Sequence, residues 1–304
     1  MTRAFSLPGF RLLCWQVNDA RVKELIGTAS AEFDALGALS REQRLYLKTL
    51  ANMGAAGPYA SNDVEKLATA TFGVKFNEKN LPKQVLYPLE HAGYVKLERG
   101  TREKGRGAKP FLVSPTEKLV KEVIGPLLEQ LEKQTESDLR GLLRKPLAEI
   151  LRELDAADKH LRGLALEALA FKLMRLLDMG YVATRLRGTA TGGAEVDLIF
   201  ESSRLVFSRW QVQCKNTATV ALDDVAKEVG LTHMLKSNVI VVVGTGDIGP
   251  AARRYANKVM TDSNLCLVLL DGRDVASIEE NPSRIVDVFN REAAHAMKLK
   301  TLEI

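Results

Sequence analysis

Cysteine is scarce in this sequence, and what there is cannot build a disulfide framework. Among 304 residues the thiols are Cys14, Cys214 and Cys266. Their number is odd and they lack metal-ligand spacing, which points to a reducing compartment. Long apolar runs are missing too. A membrane helix needs roughly 20 apolar residues in a row, whereas VIVVV and LCLVLL, the longest runs here, are strand-sized. Arg3, Pro8 and Arg11 interrupt the apolar core that an export signal would need. The expectation is a cytoplasmic protein without membrane association. Histidine offers little: His91, His160, His233 and His295 fall in no motif and read as structural or surface residues. There are no internal repeats and no low-complexity segments. What is present, 46% hydrophobic and 27% charged residues, describes a soluble globular chain long enough for two domains. The net charge of +5 hints mildly at an acidic partner, with distribution mattering more than the sum.

Four regions stand out. Residues 1–39 form a mixed N-terminal extension with a helical pattern from about Asp19 to Leu36. Residues 40–118 read as a compact unit. Ser40 can cap a helix running to Met53, with Glu42 in its first turn. Ser61-Asn62-Asp63 can cap a second helix, and Asn80 a third with Pro82 in its first turn. The stretch YVKLERGTREKGRGAKPFLVSPTEK then reads as strand, basic glycine-rich tip, strand. Three short helices followed by a hairpin is the pattern of a winged helix-turn-helix. Residues 119–158 are charged and helix-favouring, with Pro126 and Pro146 as expected breaks. They read as a helical connector. Residues 159–304 begin with an amphipathic helix that should end at Gly180. An antiparallel hairpin follows, AEVDLIFE and LVFSRWQVQCKN, and then helices alternate with apolar strands. The expected class is α/β, with one mixed central sheet flanked by helices, preceded by the α+β winged-helix unit and the connector.

The hairpin carries the chemistry. Side chains alternate along a strand, so Trp210, Val212 and Cys214 share one face and Gln211, Gln213 and Lys215 the other. If the strands pair, Asp197 joins Gln213 and Lys215 on one side of the sheet. A buried lysine needs a carboxylate, an anionic ligand or water beside it. Phosphodiester hydrolysis uses such a set. Asp197 can offer Mg²⁺ a hard oxygen, while the Gln213 side chain and the Cys214 carbonyl can add neutral ones. Lys215 can orient the attacking water and balance charge on the phosphate. The plain alternatives are a solvated lysine and an aspartate that merely caps a turn, though aspartate is disfavoured inside an apolar strand.

The run GGAEVDLIF, then WQVQCKN, then DDVAKEVGL, followed by an apolar strand and ARRYA, resembles the Mrr-type restriction endonucleases of the PD-(D/E)xK nuclease superfamily. The resemblance covers roughly residues 160–280 and implies a restriction-endonuclease-like fold. It implies Asp197 as metal ligand, Gln213 as the second-motif residue in a Q-x-K variant, and Lys215 as the catalytic lysine. RGLALEAL looks like the family's helix glutamate, which makes Glu167 a further acidic candidate. The first-motif proline is absent, and Gln213 is neutral where an acid is commoner, so metal affinity would lean on Glu167 or Glu195. Mg²⁺ is the implied cofactor, Mn²⁺ a possible substitute, and double-stranded DNA the implied partner. A homodimer is expected because cutting two strands takes two sites, with the connector a candidate interface. Cys214 itself reads as a small core hydrophobe, Glu195 as a solvated carboxylate and Gln211 as a solvated residue or substrate contact. Glu167 could instead pair with a basic residue one turn away.

Gly244-x-Gly246-x-x-Gly249 follows a strand, precedes Pro250 and a helix, and has Asp271 ending the next strand. On paper this is a dinucleotide fingerprint. Too little chain follows Asp271 to complete that fold, so a glycine-rich turn is expected instead. The helix start could still contact a DNA phosphate. Arg99, Arg102, Lys104, Arg106 and Lys109 cluster at the wing tip, where they suit a DNA backbone or minor groove. Asn80, Lys83 and Gln84 near the start of the third helix could read bases. The same unit could serve protein contacts. The combined expectation is a Mg-dependent DNA endonuclease acting in restriction. The alternative is a DNA-binding regulator or scaffold whose nuclease-like fold does not cut.

Overall fold

The computed structural model describes residues 36–77, 79–100, 110–135, 137–186, 196–202 and 208–301. The N-terminal extension to residue 35, Arg102, Lys104, Arg106 and Lys109 of the basic tip, and Glu195 lie outside the described residues.

The chain's first described helix, α1 (Arg41–Met53), starts as its sequence suggests. Ser40 accepts the Gln43 N–H, and the Gln43 side chain accepts the Ser40 N–H in return. A short strand β1 (Tyr59–Ala60) leads into α2 (Ser61–Phe72). Ser61 does not cap α2. It is buried, and its hydroxyl accepts the Phe111 N–H at 3.2 Å instead. Helix α3 comes in two segments, Pro82–Leu86 and Tyr87–His91. Asn80 makes no side-chain cap here, but its carbonyl accepts the Gln84 N–H at 2.8 Å. Strands β2 (Val95–Arg99) and β3 (Phe111–Pro115) pair antiparallel, and β1 adds to β3, giving the order β1-β3-β2.

Proline shapes two of these helices without ending them. Pro88 has no N–H for the carbonyl of Gln84, four residues back. The turn before it widens, with Tyr87 N–H reaching Pro82, and Gln43 Nε2 takes the abandoned Gln84 carbonyl at 2.7 Å. The same occurs in α4, where Glu117–Leu119, Val120–Ile124 and Gly125–Gln134 run on as one helix. Its wide turn, Gly125 N–H to Val120, comes just ahead of Pro126. Pro126 is therefore not a break, while Pro146 does separate α5 (Ser137–Leu143) from α6 (Leu147–Glu153).

Helix α7 (Lys159–Leu176) ends earlier than Gly180, closed by Asp178 in the left-handed region at φ 53°. Gly180 instead opens a strand the sequence reading missed, β4 (Gly180–Leu186). Strands β5 (Val196–Ser202) and β6 (Ser208–Lys215) form the expected hairpin. Then come β7 (Thr219–Val220), α8 (Leu222–Leu235), β8 (Val239–Gly244), β9 (Asp247–Ile248), α9 (Pro250–Asp262), β10 (Cys266–Leu270), α10 (Gly272–Glu280) and α11 (Arg284–Leu299). The five-stranded sheet has the order β10-β8-β6-β5-β4. Its β10, β8 and β6 are parallel, and β6, β5 and β4 antiparallel, so it is a mixed sheet flanked by helices.

Both faces of the sheet are covered, as its parallel part requires. Val241 and Val243 of β8 join an apolar cluster with α7, while Ile240 and Val242 join another with Ala252 and Ala256 of α9. The first cluster does not stop at the sheet. It runs through Ile150 and Leu154 into Tyr46, Leu50 and Val113 of the N-terminal unit. Polar contacts reinforce this joint. Asp178 accepts from Lys48 at 3.1 Å and Asn52 at 3.3 Å, and Arg175 donates to Asn52 at 3.2 Å. Asp63 accepts from Asn281 at 2.9 Å and Ser283 at 3.0 Å, and Lys66 pairs with Asp287. Among the described residues no helix is long and apolar enough to cross a membrane.

Candidate active site

Register places the hairpin's polar side chains together. Leu198 lies opposite Val212 and Ile199 opposite Gln211. One step from Leu198, Asp197 meets Gln213, whose Nε2 donates to Asp197 Oδ2. The Cys214 N–H donates to the same oxygen at 3.0 Å. Asp197 is half-buried, held at its base by the neighbouring strand. Gln213 is buried, and its Oε1 has no hydrogen-bond partner among the described residues. Gln213 Nε2 also lies 3.5 Å from the Cys214 carbonyl.

Lys215 stands on the same face of β6 as Gln213, by alternation. Its ammonium pairs with Asp224 of α8 at 2.8 Å, and only 22% of its side chain is exposed. It is not the solvated lysine of the plain reading. Asp224 was not singled out from the sequence. Burial works against its charge, but Lys215 and the Ala221 N–H outweigh that and hold its carboxyl below the usual range.

Glu167 is buried on α7, and α7 packs on the other face of the sheet, against Val212 and Cys214. Cys214 packs in the apolar core as expected. Burial first, then the charges of Asp197 and Glu167, push its thiol well up. The charges of Asp197 and Glu167 thus both act on the same short piece of β6. Gln211 is neither solvated nor free for substrate. It is fully buried, with Nε2 donating to the Glu228 carbonyl at 2.8 Å and to Glu228 Oε2 at 3.0 Å, and with Oε1 accepting from Ser237. Glu228, also fully buried, is a second acid the sequence reading missed. Its spacing of four from Asp224 on α8 was the one available sign.

For a hard cation the residues present fit in kind. Asp197 offers a carboxylate, Gln213 a buried oxygen without a partner among the described residues, and Cys214 a main-chain carbonyl nearby. Mg²⁺ commonly takes one or two carboxylates and keeps several waters. Among the described residues no three His, Cys, Asp or Glu side chains group to hold a metal. Among these residues, neutral oxygens and water would complete such a site beside Asp197.

Comparison with known proteins bears on this region. Residues 159–278 match the Mrr_cat family, a restriction endonuclease. The matched segment starts at α7 and ends in α10, so it contains the hairpin, Lys215 and Asp224. Among solved structures, the DNA modification-dependent restriction endonuclease AspBHI is similar at 12% identity and a TM-score of 0.32. That similarity covers 68% of this chain and 62% of that chain, so the chain spans less than two thirds of the other's length. No curated protein matches the chain.

The glycine-rich turn is no dinucleotide cradle. Three of its N–H groups are spent: Thr245 on the Lys215 carbonyl, Asp247 on Ala218 and Gly249 on Val220, each at 3.0 Å. A Cβ at Gly246 would run into the carbonyls of Ala218 and Thr217. These glycines let β9 lie against β7, just beyond Lys215. Asp271 caps α10 by accepting the N–H groups of Arg273 and Asp274. In the N-terminal unit, Lys83, Gln84 and Arg99 are exposed and Asn80 half-buried.

Proposed function

We propose that this chain is a DNA endonuclease that hydrolyses phosphodiester bonds with Mg²⁺ and serves in restriction of foreign or modified DNA. The observation that carries the reading is the juxtaposition of Asp197 with Gln213, and of Lys215 on the same face, inside the Mrr_cat match. Asp197, the Gln213 oxygen and the Cys214 carbonyl would hold the ion, with Glu167 a further acid near Cys214. When bound, the ion polarises the phosphate and acidifies a water. Asp197 is kept in orientation by the Gln213 amide and the Cys214 N–H. Lys215 faces the negative charge that grows on the phosphate as the water's oxygen bonds to phosphorus. One P–O ester bond breaks, leaving a phosphate on one fragment and a hydroxyl on the other.

The N-terminal unit supports the DNA part of the reading. Helices α1, α2 and α3 and the sheet β1-β3-β2 suit a winged helix-turn-helix. Lys83 and Gln84 on exposed positions of α3 would approach bases, assisted by Asn80. Arg99, with Arg102, Lys104, Arg106 and Lys109 beyond it, would follow the phosphate backbone. Two copies acting together would cut both strands.

The test is purified protein on plasmid DNA with Mg²⁺ or Mn²⁺, with and without EDTA, beside Lys215→Ala. The expected result is cutting by wild type, abolished by EDTA and by the substitution, with DNA binding retained. Binding without cutting by wild type would establish the non-cleaving scaffold instead, a reading that the neutral Gln213 keeps in play.

A further inference from the structure

Lys215 is placed by β6, but its ammonium is placed by α8. The strand's end is fixed first. The Lys215 carbonyl accepts the Thr245 N–H at 3.0 Å. Asn216 donates to the Leu154 carbonyl at 2.8 Å and accepts from Thr245 Oγ1 at 2.8 Å. The side chain then spans to Asp224 Oδ1 at 2.8 Å. Asp224's other oxygen accepts the Ala221 N–H at 2.9 Å in the first turn of α8. With both oxygens engaged, the carboxylate cannot rotate without losing a bond. The pair is 22% and 27% exposed, so water screens it less than it would an open surface pair.

Resting on the endonuclease reading, we propose that Asp224 is a positioning residue for Lys215. It fixes the direction in which the ammonium is presented to the scissile phosphate, and it touches no substrate itself. A carboxylate serving only as a helix cap needs one oxygen, on the helix. Here the second oxygen leaves its own helix for a lysine on the sheet. The consequence is kinetic. A lysine free to swing would still attract DNA, but it would spend less time in line with the phosphate, and misplacement by an ångström suffices to slow a reaction strongly.

The decisive variant is Asp224→Asn, which keeps an oxygen for the Ala221 N–H and removes the charge that holds Lys215. On plasmid DNA with Mg²⁺, kcat should fall by about tenfold to a hundredfold. KM for DNA should stay within about twofold, the split expected when an interaction made only in the transition state is lost. Asp224→Glu, which restores the charge, should regain part of kcat, and thermal melting controls for folding. Wild type and Lys215→Ala run alongside. If Asp224→Asn keeps the wild-type kcat, or loses DNA affinity instead of turnover, the positioning role is overturned while the endonuclease reading stands. The role is also overturned if Asp224→Glu restores the melting temperature without any kcat. If wild type itself leaves DNA intact with either metal, both fall together.

Discussion

The two faces of the β5–β6 hairpin are built from alternating residues of the same two strands, yet they are put to opposite uses. On the α7 side, the rings of Phe171, Tyr181 and Phe200 meet tilted or edge to face with centroids 5.3 to 5.9 Å apart, in one apolar cluster with Val212. On the α8 side, Asp197, Gln211, Gln213 and Lys215 meet Asp224 and Glu228. One face places its free energy in packing. The other places charged and amide groups where burial costs most, and satisfies nearly all of them. Such a local departure from an apolar core suits the proposed reaction site.

Substitutions can break this contrast, beginning with the largest effect. Asp197→Asn keeps an oxygen for the Cys214 N–H but removes the negative charge. Cleavage should drop by about a thousandfold with little change in melting temperature, read by plasmid nicking and calorimetry. Phe200→Ala on the other face should do the reverse. Phe200 is fully buried, so unfolding free energy should fall by about 3 to 5 kcal/mol in urea titrations, with cleavage per folded molecule preserved.

Gly246→Ala tests the buttress behind the polar face. The added methyl meets the Ala218 and Thr217 carbonyls, so β9 must move away from β7. A loss of about 1 to 3 kcal/mol is expected in the same titration. Glu228→Gln should have the smallest effect. Burial, opposed by Lys227 and Gln211 and aided by the Asp197 charge, pushes the Glu228 carboxyl up. The folded state then holds this proton more tightly than the unfolded state. Stability from the group is complete below the ordinary carboxylate range and is lost as pH rises through the raised value. The variant cannot ionise, so that part of the decline in melting temperature with pH should vanish. An unchanged pH profile would show that Glu228 carries no such burden.

The hairpin was legible because a strand announces itself by alternation, and an aspartate or lysine inside an apolar run stands out. Asp224 and Glu228 were not, because what they do depends on where the crossover helix lands, and α8 reads as an ordinary charged helix by itself. Strand β4 was hidden by Met179-Gly180, which looks like a helix end and in fact bridges the end of α7 to a strand start. The glycines at 244, 246 and 249 imitated a nucleotide fingerprint because close backbone approach needs glycine whatever approaches. Here it is β7, not a pyrophosphate. Pro126 imitated a break because the sequence does not show that a helix can absorb a missing N–H by widening one turn.

The Asp178 junction has one more consequence. Lys48, Asn52 and Arg175 gather on one carboxylate above a common apolar core and tie the N-terminal unit to α7 at this seam. If α3 grips a duplex and the hairpin cuts it, the distance from grip to cut is then set by the protein as a ruler sets a length. Mapped ends of digested DNA should gather at one offset from the bound sequence, and Asp178→Ala should scatter them.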